Sequence, residues 1–255
     1  SEFAANATWF TARAARFALM FDEETGFFRG RDRSGRWRPG AFDPRDWGTD
    51  YTETNAWGTR FTAPQDGQGL AELYGGRAAL EERLDAFMAL PETGRPEFMG
   101  GYPVVIHEMR EARDIRMGML ALSNQPAHHI PFMYAFASRP GSLAHAKTQG
   151  IVRAVHRLFA GSDLGQGYPG DEDNGELSAW YLFAVSGLYP LTIGSSQFVL
   201  CAPAFPRLTW TLENGAHLDI VAPEASPDNC YVQGVRVDGR PWKRITIERS
   251  RLAGG

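Results

Sequence analysis

Gly167-Tyr-Pro-Gly-Asp171-Glu-Asp173-Asn-Gly-Glu-Leu-Ser-Ala-Trp180-Tyr-Leu-Phe183 is the stretch on which the fold of this chain turns. Three consecutive acids follow a glycine-rich approach and precede an apolar segment, Leu177 to Leu188, that reads as a helix. The pattern is an acidic loop docked on a buried element. In an extended loop, residues two apart point to the same side, so Asp171 and Asp173 can face one pocket while Glu172 faces elsewhere. Two aimed carboxylates suit general-base work or a hard cation. The same residues also suit a solvated helix cap, because acids are favoured near a helix N-terminus.

Upstream of this stretch the apolar residues recur at helical spacing. Helices are predicted over about Asn6 to Phe21, Gly67 to Leu73, Gly76 to Leu90 (with Leu80, Leu84, Phe87 and Met88 on one stripe) and Leu143 to Phe159. Another is predicted from Ser123 to about Phe136, with Asn124 as cap and Pro126 in its first turn. Between them, Asp22 to Thr49 is long for a structureless loop, which favours a functional segment, and Pro91 to Pro103 is a Pro/Gly-rich break. Downstream of Pro190 the texture changes to short β-rich runs: Phe198–Cys201, Leu208–Leu212, Leu218–Val221, Tyr231–Val237 and Arg244–Ile247, with turn signals at Glu213-Asn-Gly and Asp238-Gly. The expectation is an α+β chain, helical over residues 1–192 and an antiparallel β unit over 193–255.

The 255 residues can bury a substantial core. A net charge of −4 lacks the basic footprint on which nucleic-acid binders depend, so nucleic acid is not an expected partner. The longest apolar runs, such as Ala179 to Leu188, fall short of a membrane span, so no membrane insertion is expected. Cys201 and Cys230 permit one disulfide but form no metal cluster. The aromatic share is 12%, much of it beside Gly, Asp or Asn, and this fits a sugar site, where ring faces pack on C–H faces and polar groups take the hydroxyls.

Three segments carry a more specific signal: Tyr51-Thr-Glu53-Thr-Asn-Ala-Trp57, Ser123-Asn-Gln-Pro-Ala-His-His129-Ile-Pro-Phe-Met-Tyr134 and Gly170-Asp-Glu-Asp-Asn-Gly-Glu-Leu-Ser-Ala-Trp180-Tyr-Leu-Phe183, followed by Gly187-Leu-Tyr-Pro190. In this order they resemble glycoside hydrolase family 92, the calcium-dependent exo-acting α-mannosidases. The resemblance implies the helical portion of an (α/α) toroid followed by a small antiparallel β unit, excised from a larger enzyme. It implies a C-terminal third that starts inside the toroid and stops at Leu252-Ala-Gly-Gly255, just before the strand that closes the β unit. The implied partners are a mannose-containing glycan and an N-terminal β-sandwich domain lying outside this chain, and the implied location is secreted, periplasmic or cell-surface.

The resemblance also implies roles. The family inverts configuration, which requires an acid on the leaving-group side and a base opposite it, with the carboxyls roughly 6.5–9.5 Å apart. Glu53 matches the general acid, a role that typically contributes roughly 10²–10⁴-fold, and Trp57 beside it would offer an apolar wall and sugar contact. Asp171 and Asp173 match the base side; two close carboxylates titrate as a coupled pair, so the proton-accepting one is left open. Calcium, which in the family grips two adjacent mannose hydroxyls, would be held by Asn124, Gln125 and Asp173. Many members have Gly-Asn-Glu-Pro where this chain has Ser123-Asn-Gln-Pro126, so one carboxylate becomes an amide. His107-Glu108 resembles a pair placed at the leaving-sugar subsite and associated with α-1,2 linkages; otherwise it is an ordinary helix start. Of His128 and His129, adjacent residues that point about 100° apart on a helix, one would line the sugar site, assigned to His128, and the other would pack. Two further readings stand beside the mannosidase: a mannose phosphodiester hydrolase of the same family, which retention of Glu53 argues against, and a non-catalytic carbohydrate-binding or structural module.

Overall fold

A computed structural model describes residues 2–159 and 167–252. Ala253, Gly254 and Gly255, part of the expected chain end, lie outside them. The chain divides into two compact units, Ser1–Ile130 and Pro131–Gly255. The change from helices to strands near residue 193 falls inside the second.

The first unit opens with α1 (Glu2–Ala14), which tightens into a 3₁₀ segment, Ala15–Met20. The long stretch expected as loop begins instead with a short hairpin, β1 (Phe21–Asp22) and β2 (Phe27–Phe28), with Phe21 opposite Phe28. Then come α2 (Ala56–Thr59), α3 (Gly67–Leu73), α4 (Arg77–Ala89) and α5 (His107–Ile115). The predicted stripe on α4 is real: Leu80, Leu84 and Phe87 are fully buried, as are Phe61 and Leu70. Phe61 meets Phe87 edge to face at 5.3 Å. Each such side chain contributes roughly 1.5–3 kcal/mol on leaving water. A second cluster joins Trp47, Met109, Ala112 and Ala121, with Phe98, Met99, Tyr102, Val105 and Ile106 packed against it.

The helix predicted over Ser123 to Phe136 does not form as one element. Two single 3₁₀ turns, Gln125–Ala127 and Ile130–Phe132, precede a short α6 (Tyr134–Ala137). Pro131 explains the break, since it lacks an N–H and its ring crowds the Ala127 carbonyl four residues back, whereas Pro126 sits in the first turn, where proline is tolerated. The predicted start is nevertheless correct: Asn124 Oδ1 accepts the Gln125 N–H at 2.9 Å.

The second unit continues with α7 (Ala144–His156) and α8 (Glu176–Ser186). Seven strands follow: β3 (Leu188–Tyr189), β4 (Gln197–Leu200), β5 (Arg207–Thr211), β6 (His217–Val221), β7 (Val235–Val237), β8 (Arg240–Trp242) and β9 (Thr246–Glu248). They pair antiparallel as β3-β4-β9, β5-β6 and β7-β8. The strand predicted over Tyr231–Val237 keeps only its last three residues, because the Val232 N–H is taken by the Gln149 side chain of α7 at 2.8 Å instead of by a neighbouring strand. On α8, Trp180 is buried and stacks on Phe159 at 5.6 Å. The helix stops at Gly187, φ +72°, where a Cβ would lie 2.6 Å from the Cys201 carbonyl. Arg153 of α7 donates to the Ser226 carbonyl and, at 2.7 Å, to that of Pro203. No helix among the described residues is long and apolar enough to cross a membrane.

Candidate active site

Glu53 sits in a turn whose backbone is unusual for its residue type. Its φ is +55°, in the left-handed region, which costs a non-glycine residue roughly 1–2 kcal/mol. Glutamate lacks the short side chain with which Asn and Asp offset that cost. The turn is instead held from outside. The Glu53 N–H donates to the Tyr102 hydroxyl at 2.8 Å, the Thr54 carbonyl accepts the Gly48 N–H at 3.0 Å, and Asn124 Nδ2 donates to Glu53 Oε2 at 2.9 Å. At roughly 1 kcal/mol each, these bonds together outweigh the strain. Among the described residues Oε1 carries no hydrogen bond.

The two residues after Glu53 extend the support. Asn55 caps α2, its Oδ1 accepting the Gly58 N–H at 3.0 Å, and its Nδ2 donates to Thr93 Oγ1 at 2.9 Å. Trp47 Nε1 reaches the same hydroxyl at 3.1 Å. Thr93 thus ties the Glu53 turn to the Trp47 cluster. Trp57 is half-buried; its ring meets Phe27 edge to face at 5.0 Å, and the Arg60 guanidinium lies 5.0 Å from its centre.

The acidic loop of the second unit is built from its own sequence. Asp173, Asn174 and Gly175 have φ of +54°, +60° and +99°, three left-handed residues in a row. Asp, Asn and Gly are the types that accept this. Of the three acids, Glu172 is the helix cap: its Oε1 accepts the Ser178 N–H at 3.1 Å and the Ser178 hydroxyl at 2.6 Å, and its Oε2 the Gly175 N–H at 2.7 Å. Hydrogen bonds from Ser178 and Gly175 hold its carboxyl below the usual range. Asp171 and Asp173 are exposed. Next to the loop, burial and the charge of Asp173 push the Glu176 carboxyl up.

His107 opens α5 with its ring between two carboxylates, Nε2 at 3.1 Å from Glu108 and Nδ1 at 3.2 Å from Glu111. Glu108 is 8% exposed, and among the described residues its Oε2 has no hydrogen-bond partner. A buried carboxylate oxygen without a donor is costly, so this is a place where a hydroxyl-bearing ligand would gain. His128 is buried at 5% exposure. His129 packs: its Nε2 lies 2.8 Å from the Phe61 carbonyl, to which only a protonated nitrogen can donate, and burial pushes its pKa down to about 4, so the ring is neutral. Asn124 and Gln125 offer the amide oxygens a hard cation takes. Asn124 Oδ1 already accepts one N–H and keeps its second lone pair, which suits one member of a larger oxygen set around a hard cation.

Tyr102 and Thr93 were not singled out from the sequence, although Gly100-Gly101 before an aromatic residue was an available signal for a close approach. Two cavities, of about 490 and 480 Å³, open in the second unit beside the β5–β6 hairpin and include Leu218 in both walls. Neither contains an expected site residue, and the chemistry follows the carboxylates rather than the volume. Cys201 and Cys230 are buried free thiols, and burial pushes that of Cys201 up to about 12.

Comparison with known proteins bears on these groups. The family model for the glycosyl hydrolase family 92 catalytic domain matches residues 2–255. Among solved structures, the chain is similar to a family GH92 alpha-mannosidase from Bacteroides thetaiotaomicron, with 26% identity, a TM-score of 0.81, and coverage of 98% of this chain and 30% of that one. The structure of that enzyme with mannoimidazole gives 27% identity and a TM-score of 0.79, covering 94% of this chain and 30% of that one. A family GH92 inverting mannosidase from the same organism is 32% identical with a TM-score of 0.74, covering 93% of this chain and 31% of that one. A curated relative, an uncharacterized secreted glycosidase from Arthroderma benhamiae, is 23% identical over 206 residues, 76% of this chain and 21% of its own length. The chain therefore spans less than a third of the length of these relatives.

Proposed function

Because the chain belongs to the glycosyl hydrolase family 92 catalytic-domain family, we propose that the protein removes terminal α-mannosyl residues from glycans with inversion at the anomeric carbon. The observation that carries this reading is the Glu53 turn: a glutamate in a left-handed conformation, held from outside, with one carboxyl oxygen bonded to Asn124. Strained, over-determined backbone of this kind concentrates at functional sites.

Glu53 donates its Oε1 proton to the glycosidic oxygen as the bond to the leaving sugar breaks. Asp171 or Asp173 takes a proton from the water that attacks the anomeric carbon from the opposite face, so one proton is given and one recovered per turnover. Trp57, His107, Glu108 and His128 are assigned to sugar contacts; the donor-less Glu108 oxygen supports a hydroxyl-bearing ligand at the leaving-sugar side, with α-1,2 linkages as the assigned specificity. Asn124, Gln125 and Asp173 would hold a calcium ion, which when bound supplies a Lewis-acid grip on two adjacent mannose hydroxyls. The N-terminal β-sandwich domain is assigned as the partner of this chain in the whole enzyme. A secreted, periplasmic or cell-surface location is assigned with it, in keeping with the name of the curated relative.

The test uses the full-length enzyme with methyl and dinitrophenyl α-mannosides. Glu53→Gln is expected to lower kcat/KM on the methyl glycoside by about 10²–10⁴-fold and far less on the dinitrophenyl glycoside, whose leaving group needs little protonation. Chelation of calcium is expected to abolish turnover of both. Equal losses on the two substrates would remove the acid assignment, and activity indifferent to chelation would remove calcium. Cleavage of mannose phosphodiesters in preference to mannosides would favour the phosphodiester reading, and binding without turnover a non-catalytic module.

A further inference from the structure

We propose that Tyr102 is the positioning residue that aims the Glu53 carboxyl, acting through the backbone of Glu53 rather than through its side chain; this rests on the reading of Glu53 as the general acid. The Tyr102 hydroxyl accepts the Glu53 N–H at 2.8 Å, across 49 residues of sequence. That bond acts on the residue whose φ is +55°, at the point where the turn would relax if it were released.

The ring that carries the hydroxyl is itself fixed in three ways. It packs against the cluster of Trp47, Met109, Ala112 and Ala121. Its backbone is anchored, with the Tyr102 N–H on the Met99 carbonyl at 2.9 Å and the Gly101 N–H on the Trp47 carbonyl at 2.9 Å. Gly48 makes room for it: a Cβ there would lie 2.9 Å from Tyr102 Cε2 and 3.2 Å from Cδ2, so the ring takes space that any other residue would fill. Gly48 has φ +74° and its own N–H bonds the Thr54 carbonyl at 3.0 Å, so one glycine serves both sides of the Glu53 turn. Asn124 holds the carboxylate separately, through Nδ2 on Glu53 Oε2. Tyr102 therefore sets where the carboxyl starts from, and Asn124 sets how it is rotated.

A group misplaced by about 1 Å can cost on the order of 10²-fold in rate. Tyr102→Phe keeps the ring, the packing and the Gly48 contact and removes only the oxygen. In the full-length enzyme this variant is expected to lower kcat on methyl α-mannoside by about 10–100-fold, to leave KM within about threefold, and to lower kcat on dinitrophenyl α-mannoside by less than about threefold. The double variant Tyr102→Phe with Glu53→Gln is expected to be no slower on the methyl glycoside than Glu53→Gln alone, because residues acting through one group are not additive. Equal losses on both substrates, or multiplied losses in the double variant, would make Tyr102 a general structural residue and overturn the proposal. No loss on either substrate would overturn it as well. If Glu53→Gln itself shows no dependence on the leaving group, the acid reading falls first, and that result is separate from anything Tyr102→Phe gives.

Discussion

The Glu53 turn and the Asp171–Gly175 loop present carboxylates from left-handed backbone by opposite means. Glu53 is an unsuitable residue in a strained position, kept there by Tyr102, Gly48 and Asn124, none of them adjacent in sequence. Asp173 is a suitable residue in the same conformation, followed by Asn174 and Gly175, and the neighbouring Glu172 closes the loop onto α8 by itself. The difference teaches that one catalytic assignment depends on tertiary support and the other on local chemistry. The Glu53 turn should be sensitive to distant substitutions and the Asp171–Gly175 loop to adjacent ones.

The sharpest way to break that contrast is to neutralise the exposed acids in the full-length enzyme. Of Asp171→Asn and Asp173→Asn, one is expected to lower kcat by about 10²–10⁴-fold on good and poor leaving groups alike, because the base acts on water and not on the departing oxygen. If neither substitution costs more than about tenfold, the loop does not carry the base.

A smaller effect compares the units through two partly buried rings. Burial pushes His129 in the first unit and His156 in the second down to about 4 from the ordinary 6.5, with the charge of Arg153 adding to the shift at His156. In both, the folded protein binds the proton less well than the unfolded chain. Their neutral, packed state is fully available above about pH 6.5, and stability falls as pH drops from there toward 4. At pH 5 each ring is expected to have cost about 2 kcal/mol. Urea midpoints at pH 7 and 5 measure this; His156→Phe, which keeps the ring contacts with Trp180 and Tyr181, should shrink the difference, and an unchanged difference would show that His156 does not titrate in this way.

The smallest effect separates local from distant support directly. Glu172→Ala removes the acceptor for the Gly175 and Ser178 donors and is expected to fray the start of α8 without moving the unit's overall stability. Faster amide exchange confined to Gly175–Ser178 would bear this out; a loss spread over the unit would mean that the loop is not self-supporting.

The same contrast explains what could be read in advance. The α4 stripe of Leu80, Leu84 and Phe87 was legible because helical periodicity is local, as were the hairpin turns at Glu213-Asn-Gly and Asp238-Gly. The Ser123–Phe136 segment does not run as one helix because Pro131, unlike Pro126 in the first turn, falls where propagation needs its N–H. The strand at Tyr231 was overextended because Gln149, 83 residues away, takes the Val232 N–H. In the candidate site, Glu53, Asp171 and Asp173 came from motifs, while Tyr102 and Thr93 carried none.

By itself the sequence determined most element types and the acidic loop, since propensity, capping and left-handed tolerance are properties of a few neighbouring residues, while the candidate carboxylates came from the resemblance of its motifs to a known family. Only the tertiary structure decided that Glu108, among the described residues, keeps a buried oxygen without a donor, and that Glu53 is held by Tyr102 and Asn124. The physical reason is that a hydrogen bond across 49 or 71 residues leaves no periodic trace in the chain. It exists only when the core around Trp47 and Met109 has already brought its two ends together.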